Sequence, residues 1–66
     1  MTKFLITSTD PRGNRFFYAG NGRWTDEYPD AWKFGRRFDA ELRINAALVA
    51  HPDNRTWQGA IVERVD

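Results

Sequence analysis

Three aromatic residues in succession, Phe16-Phe17-Tyr18, run into Ala19-Gly20, an Asn21-Gly22 pair and then Arg23-Trp24-Thr25-Asp26. A strand points successive side chains to opposite faces, so three adjacent rings place aromatic surface on both. One face can serve as core. The other needs a cover or a partner.

The chain has 66 residues and reads as a single small domain, 1–66. A domain of that length buries only about 60% of the surface its unfolded chain exposes, so its core must come from few, large side chains. Five Phe, two Tyr and three Trp supply them. There is no cysteine, which excludes a disulfide scaffold and thiolate metal sites. The apolar run Phe4-Leu5-Ile6 is too short for a signal peptide and no later stretch reaches a membrane-spanning length, so the expected location is cytoplasmic with no membrane contact.

Lys3 to Ser8 alternates as a strand, Asp10-Pro11-Arg12-Gly13 reads as a type I turn, and Arg15 to Ala19 reads as the returning strand of a hairpin. Both Asn21 and Gly22 tolerate positive φ, so Arg23 to Thr25 can double back as a short further strand. Pro29 to Phe34 fits a short helical piece with proline near its start and Gly35 just past its end. Asp39 is placed to cap a longer helix whose inward stripe is Ala40, Ile44, Ala47 and Leu48, and His51-Pro52 ends it. Trp57 to Val65 reads as the last strand. The fold class is therefore α+β: an antiparallel sheet of three strands, or four if Arg23 to Thr25 pairs, in ββαβ order, with one face covered by one main helix.

The order and residues resemble a small ββαβ domain of unknown function found in phage and prophage proteins and in bacterial hypothetical proteins. Lys3-Phe4, Phe17-Tyr18, Gly22-Arg23-Trp24-Thr25-Asp26, Ala31, Phe34 or Phe38, and Ala40 carry the resemblance, which covers most of the chain. The chain departs from that pattern by an insertion around Gly35-Arg36-Arg37. The resemblance implies a phage or prophage origin and supplies no catalytic residues.

Chemistry-bearing residues are sparse. One serine (Ser8), one histidine (His51) at a helix end and no cysteine make a nucleophilic triad a poor reading. Asp26, Glu27 and Asp30 form the one carboxylate cluster, read as a solvated helix start rather than a metal site. Gly20-Asn21-Gly22 lacks the third glycine and following helix of a dinucleotide fingerprint. The expected protein is not an enzyme and holds no cofactor and no metal.

A lone helix covers one sheet face. With Phe4, Ile6, Phe17 and Ile61 taken as the core set, Leu5, Phe16, Tyr18 and Val62 turn to solvent. The candidate partner-binding residues are Phe16, Tyr18, Arg12, Arg15, Arg23 and Trp24, although a tryptophan just after a hairpin more often plugs the end of a core. Aromatics on an open sheet flanked by arginine suit base stacking, worth about 1–3 kcal/mol per base, so a weak single-stranded nucleic-acid binder is the alternative. Ten basic against nine acidic residues give no basic excess, which favours a protein partner and a non-catalytic interaction module over nucleic acid. Leu42 and Val49 lie on a second apolar arc of the helix, so the domain reads as a monomer or a weak homodimer.

Overall fold

The computed structural model describes residues 2–65. Its elements are β1 (Lys3–Thr9), β2 (Arg15–Gly20), β3 (Arg23–Thr25), a 3-10 turn (Tyr28–Asp30), α1 (Arg37–Ala50), α2 (Arg55–Gln58) and β4 (Ile61–Val65). They form an α+β fold: one antiparallel four-stranded sheet in the order β3-β2-β1-β4, with one main helix.

The β1–β2 loop is built around Asp10. Its carboxylate accepts the backbone N–H groups of Arg12 and Asn14 and the Asn14 side-chain amide, while the Gly13 N–H donates to the Asp10 carbonyl. Desolvation pushes the Asp10 carboxyl up, but the Asn14, Arg12 and Gly13 donors together outweigh it and hold the group below the ordinary carboxylate value. At the other end of β2, Asn21 and Gly22 both take positive φ, 53° and 74°, which turns β3 back antiparallel.

The loop sets a register that pairs Thr7 with Phe17 and Ser8 with Phe16, while β4 pairs Val62 with Ile6 and Ile61 with Thr7. Residues directly opposite in an antiparallel pair share a face, so the expected core set is corrected. Ile6, Tyr18, Phe4 and Val62 lie under the helix; Leu5 and Phe17 cluster on the opposite face, which Ile61 shares by its register with Thr7. The expectation of a fully open second face is corrected too. Leu5 and Phe17 are buried there with Ala31, and the Tyr28 ring stands edge-on to Phe17 at 5.7 Å.

The segment after the 3-10 turn is extended rather than helical, unlike the expected Pro29–Phe34 helix. Its backbone donors go to the sheet: the Trp32 N–H bonds to the Tyr18 carbonyl of β2 at 2.7 Å, and Phe34 exchanges both backbone bonds with Phe4 of β1 at 2.9 and 2.7 Å. From Thr7 back toward Phe4, where β1 and β2 no longer pair directly, this segment bridges the two strands. Gly20, at a register shift in β2, takes φ 92°, and a Cβ there would lie 2.9 Å from the Trp32 ring.

Helix α1 starts at Arg37, with Arg36 rather than Asp39 as its N-cap residue. Asp39 lies within the first turn, paired with Arg36 at 3.3 Å, where its charge favours the positive end of the helix dipole. Trp57, expected at a strand start, belongs to α2. Asn54 caps that turn by accepting the Trp57 N–H at 3.2 Å, which sends the indole into the core 5.2 Å from the Tyr18 ring and 5.0 Å from Trp24. Buried Ser8 donates to the Thr56 carbonyl at 2.7 Å and ties α2 to β1.

Candidate interaction surface

Helix α1 is apolar on two opposite sides. At 3.6 residues per turn, Ala40, Ile44, Ala47 and Leu48 share the side packed on the sheet. Phe38, Leu42 and Val49, at spacings of four and seven residues, fall on the other side with Asn45 between them. They are 63%, 49% and 85% exposed. Small alanines on the inner side let the helix approach the sheet rings closely, and among the described residues nothing covers the outer side.

One flank of that stripe opens into a groove. Leu42, Ala46, Arg43, Asp39 and Phe34 line a cavity of about 370 Å³. A neighbouring cavity of about 180 Å³ shares Phe34 and Arg43 and is closed by Trp32, Gly20, Asn21 and Tyr18. Trp32 is half-exposed, its ring resting against Gly20.

The residues expected to form the partner surface do not meet in one patch. Tyr18 is 4% exposed, stacked on Phe34 and hydrogen-bonded through its hydroxyl to the Gly22 N–H, so it is core and not an open-face ring. Phe16 and Trp24 are half-buried; Phe16 lines a separate cavity of about 320 Å³ beside Ser8, Pro11 and Arg55, and Trp24 packs on Trp57. Arg12 is exposed in the β1–β2 loop and Arg23 is exposed on edge strand β3. Arg15 pairs with Glu63 and lies over the Phe17 ring, and Glu63 also accepts the Thr7 hydroxyl at 3.2 Å. The uncovered part of the second sheet face therefore carries a polar network, with Ile61 as its exposed apolar residue.

Phe38 and Trp32 were missing from the sequence-based set. Phe38 was legible as the i−4 neighbour of Leu42, but placing the cap at Asp39 left it outside the helix. Trp32 carried no comparable signal, because its position follows from backbone bonds to a strand distant in sequence.

Among the described residues, no group of three or more His, Asp or Glu side chains could hold a metal ion. No helix among them is long and apolar enough to cross a membrane. The fold and surface define a small α+β domain with a doubly apolar helix. Compared with family models, curated proteins and solved structures, the chain matches none.

Proposed function

We propose that this chain is a non-catalytic protein-interaction module that docks a partner on the outer side of α1, with Phe38, Leu42 and Val49 as anchors. The observation that carries this reading is the second apolar stripe, three large side chains on the side of the helix away from its core. Exposed apolar residues gathered on one face mark a contact site, whereas scattered ones do not. The lone serine supports the absence of nucleophilic chemistry, since its hydroxyl is engaged by a backbone carbonyl.

This moves the contact from the open sheet face to the helix. A single-stranded nucleic-acid site would need Tyr18 and Phe16 side by side on an open sheet with Arg12 and Arg15; Tyr18 is buried and Arg15 is paired. A photo-crosslinking residue placed at Leu42 should trap a discrete protein in the source cell, and one at Thr25 on the sheet should not. The adduct should vanish in the Val49→Lys background. An adduct from Thr25 alone, or salt-sensitive capture of single-stranded nucleic acid without any protein adduct, would overturn the reading.

A further inference from the structure

We propose that the groove between α1 and the Trp32–Phe34 segment receives an extended peptide segment of the partner that bears an acidic side chain flanked by large apolar ones. The proposal rests on the interaction-module reading and names the chemistry of the partner at that site. Two cavities sharing Phe34 and Arg43 form the groove, with Leu42 and Ala46 as one wall and Trp32 and Gly20 at the far end.

Charge selects the occupant. Two charged residues line the groove. Asp39 is already paired with Arg36, whereas Arg43 has no hydrogen-bond or ion-pair partner among the described residues. The net demand is for one negative group at the middle, with apolar surface to either side. A guanidinium offers a planar fork to a carboxylate, and Phe34, Leu42 and Ala46 flank it with apolar surface. An extended peptide supplies this pattern because residues i, i+2 and i+4 point the same way: an apolar residue at each end and a carboxylate between them face one wall together. The half-exposed Trp32 and Leu42 rim the two ends.

The test uses the acetylated, amidated peptide Leu-Ala-Glu-Ala-Leu and its Gln counterpart, titrated into the labelled full chain while amide and indole N–H shifts are followed. The Glu peptide should give saturable shifts at the Trp32 indole and the Gly20 amide, and the Gln peptide should bind roughly three- to fivefold more weakly, the range for a solvent-exposed ion pair. Arg43→Gln should erase that difference, and Arg43→Lys should keep most of it. Because Arg43 is exposed, both variants should retain the parent spectrum away from the groove. Equal binding of the two peptides, shifts confined to the sheet face, or no shift up to about 10 mM peptide would overturn the proposal. If the Leu42 adduct survives Arg43→Gln at full yield while the peptides show no preference, the helix surface stands and the acidic-segment proposal fails.

Discussion

Gly20→Ala tests the tightest space that a new Cβ would meet at any glycine of the chain. Two separate costs are expected. Gly20 sits at φ 92°, a conformation that costs an L-residue about 1–2 kcal/mol. The new Cβ would also meet the Trp32 ring at 2.9 Å, so the ring must leave its place. That second cost is capped by what the ring gains in place. Trp32 is 54% exposed, so roughly half of an aromatic's burial is at stake, about 1 kcal/mol. The sum is about 2–3 kcal/mol, against a total stability for a chain of this size of roughly 3–10 kcal/mol.

A double-mutant cycle separates the two. In a Trp32→Ala background the contact cost is gone, and Gly20→Ala should cost only the backbone part, about 1–2 kcal/mol, leaving a coupling of about 1 kcal/mol. Urea unfolding followed by far-ultraviolet circular dichroism measures each corner without relying on tryptophan emission. Additivity within about 0.3 kcal/mol would refute the close approach of ring and glycine, and a stabilising Gly20→Ala would refute the positive φ.

Three further outcomes follow from the packing and the turn described above. Trp57→Ala removes the ring that joins Tyr18 and Trp24 and should cost about 3–5 kcal/mol, enough to collapse amide shift dispersion; a well-dispersed spectrum would show that α2 is not part of the core. Asp10 has a folded pKa below its ordinary 3.8, so its contribution to stability is present above that value and is lost as pH falls through the folded pKa. Asp10→Asn keeps an acceptor for Arg12 and Asn14, and its urea midpoint should lose part of the acid dependence seen below about pH 4; an unchanged acid slope would refute the assignment. Leu42→Asp and Val49→Lys change solvent-facing positions and should each move stability by no more than about 0.5 kcal/mol, so the loss of the position-42 adduct in the Val49→Lys background reports on docking; a large drop in thermal midpoint would place the residues in the core instead.

The parts of the fold legible in the sequence were those with local causes. The Asp10–Gly13 turn, the Asn21-Gly22 reversal, the inner stripe of α1 and its end at Pro52 each depend on residues a few positions apart. What was misread depended on distant pairing. The face of Phe17 turns on which β1 residue it opposes, and one step of register exchanges every side chain between faces. The extended course of Trp32–Phe34 depends on hydrogen-bonding partners in β1 and β2, and local helix signals around Pro29 and Gly35 pointed elsewhere. Trp57 was drawn into a strand by its bulk, although Asn54 three residues earlier was a readable cap. For the surface, Leu42 and Val49 were visible as a second arc, whereas the aromatic run drew attention to rings that the fold keeps for itself.

The pairing of Lys3 with Val65 brings positions from opposite ends of the numbering onto neighbouring strands. Strands in a sheet lie about 4.8 Å apart, so a cross-strand link between these two positions would fasten β4 to β1 without disturbing either. Such a link would hold the edge strand in register and leave the outer side of α1 unchanged.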